Sequence, residues 1–178
     1  GNLTRTIIFS GKKNKVKDIN RALQRLHIKS GEMHSDLTQA ERDEIMYRFK
    51  SGAIDVLVAT DIVARGIDID DIYTVINYDV PRDAEDYVHR IGRTARAERD
   101  GNAITFVSDA DISYFQSIEK FLEKEVEKLP LPAALGEAPA YKVVKKSRKT
   151  GRKSAAHKPA SKGGRGRGRR NSGKKKEA

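Results

Sequence analysis

The sequence contains no cysteine. That removes disulfide frameworks, thiolate metal sites and cysteine nucleophiles, and it fits a reducing compartment. Histidine is scarce: the four lie at positions 27, 34, 89 and 157, with no pair at close metal-ligand spacing. No apolar run approaches the roughly 18 residues that span a bilayer, and no charged start followed by an apolar stretch marks an export signal. The expectation is a soluble, cytoplasmic protein with no membrane partner. The opening Gly1-Asn2, without methionine, reads as a removed tag or a cut inside a longer gene.

What the chain does have is charge, unevenly placed. Its 178 residues carry a formal +11. Through Ala140, 20 Lys and Arg stand against 24 Asp and Glu, a net −4; from Tyr141 onward, 16 stand against Glu177 alone, a net +15. A mildly acidic body therefore precedes a strongly basic tail.

The body alternates β-rich runs with helical patterns, which predicts βαβ units and a parallel sheet. Strands are expected at Thr6 to Phe9, near Ile28 to His34, at Asp55 to Ala59, Tyr73 to Tyr78 and Ala103 to Val107. Helices are expected around Val16 to Leu26, at Thr38 to Lys50 with Asp36 or Thr38 as cap, and at Asp83 to Ile91. A long amphipathic helix is expected from Ser108 to about Lys128. Five such strands make an open α/β sheet, whose ligands sit beyond the carboxyl ends of the strands. Pro130, Pro132 and Pro139 then break the pattern. We divide the chain into a folded domain at 1–131, a Pro/Ala-rich linker at 132–140 and a disordered Lys/Arg/Gly-rich tail at 141–178, which has too few apolar residues to offset the entropy of ordering.

Three stretches at strand ends carry chemistry. ATDIVARGID, from Ala59 to Asp68, puts Thr60 and Asp61 where a strand stops, with Arg65, Gly66 and Asp68 following. It reads equally as a strand end with an Arg-Asp surface pair. YVHRIGRTAR, from Tyr87 to Arg96, spaces Arg90, Arg93 and Arg96 three apart beside His89. Guanidinium groups are permanently charged and bond phosphate oxygens in pairs, as stabilising a phosphoryl-transfer transition state requires, although a solvated basic face has the same pattern. TQAER, from Thr38 to Arg42, sets Gln39 and Arg42 on the first turn of a helix, where free N–H groups favour anions.

Together, in this order, these stretches resemble the C-terminal RecA-like domain of DEAD-box RNA helicases. IIFS (Ile7 to Ser10) is similar to motif IV of that family, TQAER to its QxxR element, ATDIVARGID to motif V, VINYD (Val75 to Asp79) to motif Va and HRIGRTAR to motif VI. The resemblance spans about Thr4 to Leu131 and implies a RecA-like open parallel sheet with helices on both faces. It implies that Arg93 and Arg96 reach the γ-phosphate of ATP, with Arg96 the arginine finger, and that Asp68 reaches the ribose. It implies that Arg42 and Thr60 hold the RNA backbone, supported by Gln39 and Gly66, and that His89 and Arg90 meet the N-terminal RecA-like domain of the same protein. The sequence departs from the family where Ser35 replaces a usual Gly, where Lys12 replaces a frequent Thr and is still able to meet a phosphate, and where Ala95 replaces Gly.

A complete helicase also needs a GxxxxGK[ST] loop and a DEAD carboxylate box for Mg²⁺. Neither is in this sequence; GRRNSGK, Gly168 to Lys174, has the Gly and Lys spacing but is followed by Lys175 and lacks a strand before it. The chain reads as half of an ATP-dependent RNA helicase, inactive and monomeric as a fragment, whose ATP and Mg²⁺ are held mainly by the other half. The competing class is an RNA chaperone or nucleic-acid binding module acting through the tail, whose cations displace counterions from single strands.

Overall fold

Short β-branched and aliphatic runs, stopped by Ser, Gly, Asp or Pro, pair into one sheet. The computed structural model describes residues 3–64, 72–94, 101–138 and 140–141. It places β1 at Thr6–Phe9, β2 at Ser30–Met33, β3 at Val56–Ala59, β4 at Thr74–Asn77 and β5 at Asn102–Thr105. All pair in parallel, in the order β2-β3-β1-β4-β5. Between and after them come α1 (Lys13–Arg25), α2 (Gln39–Lys50), α3 (Asp61–Ala64), α4 (Ala84–Ile91) and α5 (Ile112–Leu122). Readings that rest on Gly66, Asp68 and Arg96, and on the basic tail from residue 142, lie outside the described residues.

Side-chain alternation sorts the strands onto two faces. Ile7, Phe9, Met33, Leu57, Ala59 and Val75 point one way and are buried with Phe49 of α2. Ile8, Val56 and Val58 point the other way and are buried with Val16 of α1, with Ile19 and Leu23 packed around them. Gly31 lets α2 and the segment after it lie close to the sheet: a Cβ there would come within 3.3 Å of the Ile45 side chain on α2 and within 2.7 Å of Ile54 beyond it. A third cluster, Val80, Tyr87, Phe115 and Ile118, joins α4 to α5.

One boundary is settled between two candidates and another differs from the sequence reading. Of the two candidate caps for α2, Thr38 takes the role: its hydroxyl accepts from the Glu41 N–H while Glu41 accepts from the Thr38 N–H at 2.7 Å. The predicted long helix stops at Leu122, because Glu123 turns left-handed at φ 52° and the Lys124 N–H returns to the Glu119 carbonyl at 3.2 Å. The apolar period continues past this point through Val126 and Leu129, which is why the pattern suggested more helix. Glu119 anchors the segment beyond the helix: its carboxylate accepts from the Val126 N–H at 2.9 Å, from the Tyr141 hydroxyl at 2.6 Å and from Lys128. Tyr141, read as the first residue of the tail, thereby packs on the body, its ring edge-on to Phe115.

Candidate functional site

The connection from β1 to β2 runs over the α1 face, while α4, between β4 and β5, lies on the opposite face. β1 and β4 are neighbours, so their carboxyl ends border the crevice where such sheets bind ligands. This edge is built from the residues just past each strand: Ser10 and Gly11 after β1, His34 and Ser35 after β2, Thr60 and Asp61 after β3, Tyr78 and Asp79 after β4.

Arg90 ties the edge together. It is only 4% exposed although it is charged. Its Nε and Nη2 donate to the two carboxylate oxygens of Asp61 at 2.6 and 2.7 Å, and its Nη1 donates to Asn77 Oδ1 at 3.1 Å and the Asp79 carbonyl at 3.0 Å. The guanidinium also lies 5.3 Å from the centre of the Phe9 ring. Asn77 continues the chain by donating to Thr105 Oγ1 at 3.0 Å. The Asp79 carboxylate accepts from Ser10 Oγ at 2.5 Å and from the Gly11 N–H at 3.1 Å. One network therefore links the ends of β1, β3, β4 and β5. The resemblance implied interdomain contacts for both His89 and Arg90; the structure turns Arg90 inward and leaves His89 exposed.

The β2 end is set from two sides. His34 is buried, its Nδ1 accepts from the Asp36 N–H and its Nε2 meets Glu32 Oε1, both at 3.3 Å, which places the ring proton on Nε2. Asp36 in turn accepts from Lys13 at 2.9 Å and Lys17 at 3.0 Å, and these two bonds hold its carboxyl down to about 2. The turn so fixed carries the Ser35 carbonyl, against which Arg42 Nη2 makes a long 3.5 Å contact.

Arg42 is half-buried on the first turn of α2, and its Nε is buried without a hydrogen-bond partner. The buried Nε is out of reach of a ligand, and it is the terminal nitrogens of the half-exposed guanidinium, with that one long contact, that can serve an anion. Thr60 stands beside the same strand end, its N–H donating to the Met33 carbonyl at 3.1 Å. Gln39 is exposed and donates to Asp43 at 2.8 Å. Lys12 is exposed immediately before α1. Arg93 is half-buried in the turn after α4, its N–H donating to the Arg90 carbonyl at 3.2 Å. The fold thus brings Arg42 and Thr60 together at the β2 and β3 ends and sets Arg93 beyond α4.

Reading the sequence missed Asp61, Asn77 and Asp79 as partners of Arg90. A signal existed: Arg90 lies three positions after Tyr87, on the apolar stripe of α4, where a charge must find a buried partner.

Comparison with known proteins agrees with this geometry. Residues 2–98 match the family described as the helicase conserved C-terminal domain. The ATP-dependent RNA helicase eIF4A of Candida albicans is 44% identical over 128 residues, covering 72% of this chain and 32% of that protein. The ATP-dependent RNA helicase CshA of Listeria monocytogenes is 46% identical over 126 residues, covering 71% and 24%. The chain thus spans between a quarter and a third of the length of these relatives. Among solved structures, the E. coli DEAD-box protein SrmB, bound to a regulator of ribonuclease activity, is 36% identical with a TM-score of 0.66, covering 73% of this chain and 76% of that one. A DEAD-box protein from Methanococcus jannaschii is 36% identical with a TM-score of 0.67, covering 70% and 34%. The sheet order, the strand-end motifs and these matches agree on one assignment: the fold is RecA-like, and the chain belongs to the helicase conserved C-terminal domain family.

Proposed function

We propose that this chain is the C-terminal half of an ATP-dependent RNA helicase that couples ATP binding and hydrolysis to RNA binding and local duplex remodelling in the cytoplasm. The observation that carries the reading is Arg42: a half-buried guanidinium on the first turn of α2, its Nη2 against the Ser35 carbonyl of a turn braced by His34 and Asp36, at the sheet end that also carries Thr60. In this proposal Arg42 and Thr60 take RNA phosphates, with Gln39, Gly66 and Lys12 in support. Arg93 and Arg96 meet the γ-phosphate of ATP, Asp68 meets the ribose, and His89 faces the N-terminal RecA-like domain. Arg93, half-buried in the turn after α4, fits that task in charge. In this scheme Mg²⁺ is held mainly by the N-terminal domain.

An arginine finger contributes about 10³ to 10⁵ in rate. In the longer protein, Arg96→Ala is therefore expected to leave less than about a tenth of the RNA-stimulated ATPase, and retention of more rejects the assignment. The isolated chain is expected to show no measurable ATP turnover.

The +15 balance of residues 141–178 supports a second role, bulk attraction of single strands by counterion release. Removing residues 142–178 while keeping Tyr141 is expected to abolish most RNA affinity of the isolated chain. If affinity persists, the folded edge binds RNA by itself.

A further inference from the structure

An all-parallel sheet is ordinarily covered on both faces, because each strand carries apolar side chains in both directions. Among the described residues, the face that receives α1 is covered over only part of its width. Ile8, Val56 and Val58, on β1 and β3, are buried beneath α1. Ile76 on β4 is partly buried at its margin. Its register partner on β5, Ile104, is 38% exposed. One pleat further on, Phe106 is 51% exposed and meets Tyr78 edge-on, with ring centres 5.9 Å apart. Ile76, Tyr78, Ile104 and Phe106 thus form an apolar ledge two strands wide, beside α1 and ending at the free edge of β5.

The dimensions of the ledge suit a helix. Neighbouring strands lie about 4.8 Å apart, so two strands span about 10 Å, which is also the spacing of two helices packed side by side. The charge beside it has a sign. Lys15 reaches over the Tyr78 ring, its Nζ 5.4 Å from the centre, and Lys12 precedes it. Among the described residues neither has a carboxylate partner, whereas Lys13 and Lys17, on the opposite flank of α1, are both held by Asp36.

We propose that this ledge is the docking site for an amphipathic helix of a partner protein, with aliphatic or aromatic residues seated on Ile104 and Phe106 and acidic residues facing Lys15. The helix lies beside α1 and completes the second layer of the sheet. The chain's own tail does not supply such a stripe: residues 142–178 hold no large apolar side chain beyond Val143 and Val144, and their charge has the wrong sign. A second copy docking symmetrically would bring the lysine rim against itself. The remaining mode is helix-in-groove recognition, whose anchors recur at i, i+3, i+4 and i+7.

The test uses the full 178-residue chain, ¹⁵N-labelled, and two synthetic helical peptides of about four turns. Both carry the same Leu and Phe stripe; one has a Glu-rich and the other a Lys-rich polar face. The Glu peptide is expected to give saturable amide shifts at Ile76, Ile104, Phe106 and Lys15, with the Lys peptide weaker. Phe106→Ser is expected to weaken the Glu peptide about tenfold, since it removes one buried aromatic anchor, without moving the thermal midpoint of a side chain half in solvent. Lys15→Glu, a surface change independent of packing, is expected to reverse the preference between the peptides. Three results overturn the proposal: no saturable shift at the ledge, the same shifts produced by oligouridine instead, or self-association of the unliganded chain that Phe106→Ser abolishes. No step of this test involves nucleotide, so it stands or falls apart from the helicase reading.

Discussion

Arg90 and Asp61 face each other across 29 residues of chain as a two-toothed pair, Nε to Oδ1 at 2.6 Å and Nη2 to Oδ2 at 2.7 Å. Taking one partner away leaves the other charge poorly solvated, and that costs more than the intact pair contributes. Asp61→Ala is expected to lower unfolding stability by about 3 kcal/mol, the low end of the usual range because the Asp61 side chain keeps 24% of its exposure. Replacing both residues, as Asp61→Leu with Arg90→Met, is expected to recover most of that loss. Urea unfolding of the three variants decides; equal losses in the single and double variants would show that the pair is not the unit.

Arg90→Lys is a sharper probe of geometry. Lysine keeps the charge but not the planar fork, so it is unable to serve Asp61, Asn77 and the Asp79 carbonyl together. The expected result is a loss near that of Asp61→Ala, visible also as faster amide exchange at Gly11, which depends on Asp79.

The core makes a prediction of ordinary kind. Leu57 on β3 is fully buried between Ile7 and Gly31 in register. Leu57→Ala is expected to cost about 3 to 5 kcal/mol, transfer plus cavity. A loss below about 1 kcal/mol in a thermal or urea melt would mean that α2 collapses onto the gap.

Asp36 gives a pH prediction whose sign is set by its two lysines. Its carboxyl titrates at about 2 in the fold, below its ordinary 3.8. The folded state therefore binds this proton less readily than the unfolded chain. The contribution is fully present above about pH 4 and is lost as pH falls from there toward 2. Carboxyl carbon shifts of Asp36 should move with a midpoint near 2, and Asp36→Asn should remove the dependence in that window. A midpoint at the ordinary value would show that Lys13 and Lys17 leave the carboxylate in solution.

Glu119 is pulled both ways. Burial raises its pKa, but donors from Lys128, Tyr141 and the Val126 N–H outweigh that and hold it below the ordinary value, while burial and the Glu119 carboxylate push Tyr141 up. Glu119→Leu is expected to release the segment from Val126 to Tyr141, read as loss of hydrogen-exchange protection at Val126 with α5 unchanged. Protection that survives the substitution would show that the apolar contacts of Val126 suffice.

Much of the fold was legible because its signals are local. β1 and β3 are unbroken apolar runs, as strands buried on both faces must be, and the motif strings fall at their ends. Of the candidate site, the place of Arg42 on the first turn of α2 was legible, because the Thr38 cap and the polar turn before it are local signals. What escaped the reading depends on long-range partners. Nothing near Arg90 in the chain announces Asp61, and nothing near Leu122 announces that Glu119 will accept from Tyr141 and stop the helix from being the best state for the residues beyond. The exposed ledge escaped for the same reason: Ile104 and Phe106 have the alternation of a buried strand, and only the position of α1 shows that no other described element covers them on that face.

The position of β1 carries a consequence for the order of synthesis. It is the first of the five described strands along the chain, yet it lies in the middle of the sheet, with Thr6 paired to Val56 on one side and to Thr74 on the other. A chain made from its amino end at about 5 to 20 residues per second holds Thr6–Phe9 unpaired for seconds, until β3 leaves the ribosome. The two sheet halves, β2 with β3 and β4 with β5, are each joined through a connection that carries a helix, but β1 is the strand that pairs with both. A break in the chain between Phe9 and Lys13 would therefore act less like trimming an end than like drawing the keystone from an arch: two half-sheets, each with its pairings intact, and no domain.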